Sequence, residues 1–84
     1  MKVKLVVMNN CKYCPEAKEI VSDLCNKHNI DYEIIDLNTL RGQEMLKRYN
    51  ILYVPCIIKD NDIFAIPRSK RKLLRLLKDE PKRI

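Results

Sequence analysis

The chain has no tryptophan, and its 84 residues include one glycine (Gly42), one histidine (His28) and one phenylalanine (Phe64). With so little glycine and only four prolines, there is little room for flexible linkers or low-complexity segments. A chain of this length builds one modest core, so a single domain over residues 1–84 is expected. No apolar run approaches the ~20 residues of a membrane-spanning helix. The apolar stretch near the start is short and has no small-residue cleavage site before Cys11. It reads as a first strand and not as a secretion signal. The expected setting is therefore the cytoplasm, where stable structural disulfides are rare, with no membrane partner. His28 falls near an expected helix end, and capping accounts for it without a ligand role.

Acidic residues are also scarce where the basic ones crowd. The net charge is +6, and Lys59, Arg68, Lys70, Arg71, Lys72, Arg75, Lys78, Lys82 and Arg83 all lie in the last third. A solvated helix face that aids solubility accounts for this stretch, and contact with an acidic protein is the alternative. Nucleic acid is not an expected partner, because no aromatic residue falls within 68–84 to stack on bases.

What the chain does have is Asn10-Cys11-Lys12-Tyr13-Cys14-Pro15, two cysteines three positions apart. The motif follows an apolar run (Leu5, Val6, Val7, Met8) and precedes a helical pattern. In a cytosolic chain, such a pair at a strand-to-helix junction reads as redox-active. Pro15 suits a first helical turn, where its missing N–H has no partner to lose. Cys11 is expected at or just before the helix start, where unpaired N–H groups and the helix dipole favour a thiolate. Cys14, one turn in, is expected to be more shielded. Cys11 then attacks a substrate disulfide, and Cys14 resolves the mixed disulfide. Lys12 adds a positive charge beside the thiolate, and Tyr13 offers a flat rim to a substrate peptide; both could equally be exposed spacers.

Along the chain, residues 2–8 read as a strand buried on both faces. Ala17, Ile20, Val21, Leu24 and Cys25 give one apolar face to a helix over about 15–27. A second strand over 30–37 follows. Asn38 or Thr39 caps a helix over 40–49 that turns Met45, Leu46 and Tyr49 inward and is weakened by Gly42. A third strand at 55–59 and a fourth at 63–66 pair antiparallel across the turn Asp60-Asn61-Asp62, and Pro67 closes the edge. A last helix over 68–78 turns Leu73, Leu74, Leu76 and Leu77 inward, and the tail from Asp79 is expected to fray. The order is β-α-β-α-β-β-α, an α/β class.

This order, with Cys11-Lys12-Tyr13-Cys14-Pro15 opening the first helix and Tyr53-Val54-Pro55 opening the third strand, resembles the thioredoxin fold in its smallest form. It is similar to glutaredoxins and to the short glutaredoxin-like thioredoxins of archaea and bacteria. The resemblance implies a three-layer α/β/α domain with a four-stranded mixed sheet, and a thiol–disulfide oxidoreductase serving electron transport and cell redox homeostasis. It further implies a cis peptide bond before Pro55, a Pro55 that faces the dithiol, and a Val54 backbone that receives an incoming peptide. No bound cofactor is expected beyond the redox-active Cys11–Cys14 disulfide. The expected partners are disulfide-bearing proteins, with the protein acting as a monomer. In glutaredoxins a Gly-Gly and a nearby aspartate after the fourth strand hold glutathione. Here that place reads Ile66-Pro67-Arg68-Ser69-Lys70. The expected electron donor is thus a thioredoxin-reductase-like flavoprotein or another dithiol more than glutathione.

Two cysteines lie outside the pair. Cys25 sits on the apolar helix stripe and reads as a small core hydrophobe. Cys56 follows Pro55 and reads as a core residue, with a regulatory thiol or a third metal ligand as alternatives. A metal or iron–sulfur carrier using Cys11 and Cys14, with either Cys56 or a second subunit to complete the ligands, is accordingly the second reading of the chain. One C-x-x-C supplies only two of the three or four ligands such sites need.

Overall fold

Alternation along the first strand sends Val3, Leu5 and Val7 to one side and Val6 to the other, and both sides are buried. The computed structural model describes residues 2–78, so the expected frayed tail lies outside the described residues. Its elements are β1 (Val3–Val7), α1 (Cys14–Lys27), β2 (Tyr32–Asp36), α2 (Leu40–Arg48), β3 (Cys56–Lys59), β4 (Asp62–Ala65) and α3 (Lys70–Lys78). The sheet order is β2-β1-β3-β4, with β1 and β2 parallel and the other pairs antiparallel. The expected element order and mixed four-stranded sheet are the ones found.

The register fixes which strand ends lie together. Val6 pairs with Cys56, and Cys56 pairs with Ala65. The end of β1, the start of β3 and the end of β4 therefore share one sheet end. The two faces carry separate cores. Val3, Leu5, Val7 and Ile57 pack with Cys14, Ala17, Val21 and Cys25 of α1 and with Leu73 and Leu77 of α3. Val6, Ile35, Cys56 and Ile58 pack with Met45 of α2. The two central strands, covered on both faces, thus need near-continuous apolar runs, and the sequence supplies them.

Local signals set the boundaries. Past α1, Asn29 takes a left-handed φ of 57°, and the Ile30 N–H donates to the Cys25 carbonyl at 2.8 Å. This is the outer bond of a Schellman motif, with Asn in the position that glycine usually holds. His28 is the C-cap residue of α1, and its N–H donates to the Leu24 carbonyl. Asp60 and Asn61 both have positive φ (53° and 70°), the requirement of a two-residue hairpin turn that matches strand twist. Thr39 caps α2, its Oγ1 accepting from the Gly42 N–H at 3.1 Å. Replacing Thr39 with alanine is expected to destabilise the protein by about 1 kcal/mol in urea unfolding.

Four expectations need correction. Leu46 is 40% exposed, because Gly42, Met45 and Tyr49 form the inward face of α2. Leu74 is only half-buried and is not part of the core contact of α3, which Leu73 and Leu77 carry with the partly buried Leu76 beside them. Lys59 is not part of a solvated face: it is buried, and its Nζ donates to the Leu76 carbonyl at 2.8 Å. Gly42 is not merely a weak point. A Cβ there would lie 2.8 Å from the Asp36 carbonyl carbon, and closer still to its oxygen and to Leu37 Cα. The bare α-carbon is what lets α2 seat against the end of β2.

Candidate active site

After Val7 the chain leaves the sheet through Asn9 and Asn10. The Asn9 N–H donates to Asn38 Oδ1 at 3.1 Å, and the Asn38 N–H donates to Asp36 Oδ1 at 2.8 Å. The loop after β1 is thus tied to the loop after β2. Asn10 adopts φ 62°, a left-handed conformation that asparagine tolerates better than most residues. That turn delivers Cys11 to the sheet end.

Cys11 and Cys14 are joined by a disulfide, with their Cα atoms 5.3 Å apart. The expectation for the helix start is corrected here. Tyr13 is the N-cap, and its carbonyl accepts the first helical bond from the Ala17 N–H at 3.0 Å. Cys14 is therefore the first residue of α1, not one turn in, and Cys11 stands two residues before the cap. Pro15 falls in the first turn, where it displaces no hydrogen bond. Cys11 is half-buried at the edge of the α1 core, and Cys14 is buried within it. Lys12 and Tyr13, between them, are exposed, and the Lys12 ammonium sits 5.8 Å from the centre of the Tyr13 ring. That separation is a cation–π contact, worth little at an exposed position.

The Val54–Pro55 peptide bond is cis. Val54 is half-buried and packs against both cores, including the one that Cys11 borders. Pro55, also half-buried, leads into β3 at the sheet end where the dithiol lies. Large apolar side chains that the sequence reading did not select are exposed on the segments leading to and from these residues: Met8 just past β1, and Leu52 (77% exposed) and Tyr53 before Pro55. Met8 had looked like the last residue of a buried strand. Only the end of β1 at Val7 separates it from the core.

The remaining thiols are not brought to the site. Cys25 is fully buried in the α1 core, and Cys56 is fully buried on the α2 face. Cys56 lies one residue past the site in sequence, yet strand alternation points it to the opposite layer. It cannot complete a ligand set with Cys11 and Cys14, which corrects that part of the carrier reading. Among the described residues, no group of three or more His, Cys, Asp or Glu is placed to hold a metal. Burial pushes the Cys25 thiol up from its ordinary pKa and the Cys56 thiol up to about 11. At neutral pH only ~10⁻⁴ of Cys56 is then thiolate, the nucleophilic form. Alkylation of reduced native protein at pH 7 is expected to spare Cys25 and Cys56, which should react only after denaturation. Peptide mass mapping checks this.

No helix among the described residues is long and apolar enough to cross a membrane. The chain is 27% identical over 79 residues to a thioredoxin of Methanocaldococcus jannaschii, and the match covers 93% of each chain. Its fold matches that of thioredoxin 1 from the thermophilic eubacterium Thermosipho africanus TCF52B with a TM-score of 0.68 at 20% identity. That match covers 89% of this chain and 88% of the other. The thioredoxin domain family model matches residues 1–66, more than three quarters of the chain and all of the sheet. A disulfide between the turn after β1 and the first residue of α1, on a fold shared with these proteins, has one consistent assignment: the chain belongs to the thioredoxin domain family and is a thiol–disulfide oxidoreductase.

Proposed function

We propose that the protein reduces disulfides of other proteins, with Cys11 as the attacking thiol and Cys14 as the resolving one. The observation that carries this assignment is the asymmetry of the pair: Cys11 is half-buried at the rim, and Cys14 is buried. An external disulfide sulfur has a path to Cys11 Sγ and much less of one to Cys14. Cys11 also bonds to the first residue of α1, so after reduction its sulfur rests near the positive end of that helix, which favours the thiolate.

The exchange then runs in two steps. The Cys11 thiolate attacks one sulfur of the substrate disulfide, forming a mixed disulfide and expelling the other sulfur as a thiolate. Cys14 loses its proton and attacks Cys11 Sγ, re-forming the Cys11–Cys14 disulfide and expelling the second substrate thiolate. The substrate gains two electrons and two protons, and the protein's dithiol gives them up. Lys12 and Tyr13 on one side, with the Val54 backbone and Pro55 on the other, form the substrate rim. The exposed Met8, Leu52 and Tyr53 extend that rim with apolar surface suited to an unfolded or loop segment.

The donor that restores the dithiol is a reductase or another dithiol, in keeping with an Ile66-Pro67-Arg68-Ser69-Lys70 segment that has no glycine pair and no acid. The test is insulin-disulfide reduction with two donor systems, NADPH with a thioredoxin reductase and glutathione with its reductase. Turnover is expected with the first and should be much weaker with the second. If insulin is reduced no faster than by the donor systems alone, the assignment fails. If glutathione is the better donor, only the donor assignment fails.

A further inference from the structure

The excess charge of this protein is concentrated in one segment. Residues 68–78 hold Arg68, Lys70, Arg71, Lys72, Arg75 and Lys78 and no acid, and the eleven remaining cations balance the eleven carboxylates. All six side chains are exposed, and among the described residues no carboxylate pairs with any of them. Leu73 and Leu77 are buried against the sheet, so α3 presents its cationic side outward. Arg71, Arg75 and Lys78 fall at i, i+4 and i+7, a stripe about 10 Å long at ~1.5 Å per residue.

The fold gains from this arrangement only at the end of α3, where Arg75 and Lys78 lie in the last turn and complement the helix dipole. The first turn of α3 has no acid and carries Lys70, Arg71 and Lys72, where the helix dipole disfavours cations. Like charges one turn apart also repel. A face that served only solubility would work with mixed signs. The topology gives the stripe a direction. Ala65 ends β4 beside Cys56, so the chain enters α3 from the sheet end that holds Pro55 and the dithiol, and Ile66 packs on the core that Cys11 borders. A protein whose disulfide reaches Cys11 has α3 within reach of its own surface.

We propose that the cationic face of α3 docks acidic disulfide-bearing proteins and so selects them as substrates of the Cys11–Cys14 pair. The selection rests on the oxidoreductase reading above; the docking surface stands on its own charges. A membrane is a poor occupant, because of the four leucines of α3 Leu73 and Leu77 are buried and Leu76 packs on the core. RNA is less suited than an acidic protein, since residues 68–78 have no aromatic side chain to stack on bases.

The test uses the full-length protein and two peptides with the same disulfide ring, one extended by Asp and Glu and one by Ser and Gln. The wild type is expected to reduce the acidic peptide on the order of tenfold faster at low ionic strength, through steering by the charged face. That advantage should vanish between ~20 and ~300 mM salt as screening shortens the field. The triple variant Arg71→Gln, Arg75→Gln, Lys78→Gln is expected to lose the preference and to reduce the neutral peptide at the wild-type rate, with an unchanged melting temperature. A redox-inert acidic peptide, with serine for both cysteines, should bind the wild type more tightly than the triple variant by fluorescence anisotropy. If neither ring is reduced but the inert peptide still discriminates the two proteins, the docking surface stands and the roles given to Cys11 and Cys14 fall. A triple variant that keeps the acidic preference overturns the proposal. So does a wild type that binds a short single-stranded RNA and ignores the inert acidic peptide.

Discussion

Replacing Cys11 with serine is expected to bring insulin-disulfide reduction to the background rate, a loss on the order of 10³-fold or more. A serine hydroxyl fits the same space but is not ionised at neutral pH and cannot form the mixed disulfide, so the first step of exchange disappears. Folding should be spared, because Cys11 is only half-buried at the edge of the α1 core. Circular dichroism and the melting temperature of the reduced proteins should therefore agree. The neighbouring thiols cannot substitute. Cys14 is buried, and Cys25 and Cys56 are enclosed in cores that raise their pKa values. Activity close to wild type in this variant would mean that a different sulfur does the chemistry.

The second large effect is one of sign. Helix propensity alone says that Gly42→Ala stabilises α2 by ~1 kcal/mol. The packing says the reverse, because the new methyl would meet backbone atoms of Asp36 and Leu37 and not a side chain that could swing away. Either α2 must lift from the end of β2 or the Asp36 carbonyl must shift. That carbonyl accepts both the Thr39 N–H at 3.0 Å and the Thr39 Oγ1–H at 2.6 Å. The displacement would therefore also loosen the cap of α2. Overpacking of this kind typically destabilises by ~1–3 kcal/mol. With the loosened cap added, the expected net loss in urea unfolding is about 2 kcal/mol or more. The melting temperature should fall by roughly 10 °C for a domain of this size. A more stable variant would show that the close approach of α2 to β2 is not held by this glycine.

Those two positions mark where the sequence was readable and where it was not. The order of elements followed from apolar periodicity, with β1 and β3 legible because burial on both faces demands unbroken apolar runs. The dithiol was legible because its chemistry needs two cysteines at one spacing, and Pro15 marked the helix beside it. The start of α1 at Cys14 was read to within a residue, but Cys14 was placed one turn into the helix instead of at its first position. Nothing in Cys11-Lys12-Tyr13 distinguishes a turn from a first helical turn, and the left-handed Asn10 that sets it is visible only in the backbone. Gly42 was read by propensity, which is a local quantity, whereas its reason is a contact with a strand end six residues earlier. Lys59 was counted with the solvated cations because charge argues for exposure. Its long apolar stem and its bond to the Leu76 carbonyl allow it to be buried. Cys56 was ambiguous because a strand covered on both faces leaves no polar alternation to assign sides, and the register with Val6 decided it.

The most direct test of the central claim is to trap the exchange halfway. In Cys14→Ser the resolving thiol is gone, so the first step can occur and the second cannot. Reduced Cys14→Ser mixed with a peptide containing one disulfide ring should gain the mass of one peptide. Proteolytic mapping should place that adduct on Cys11, and dithiothreitol should release it. An adduct on Cys25 or Cys56, or none at all under conditions in which the wild type turns the peptide over, would contradict the assignment of Cys11 as the attacking thiol.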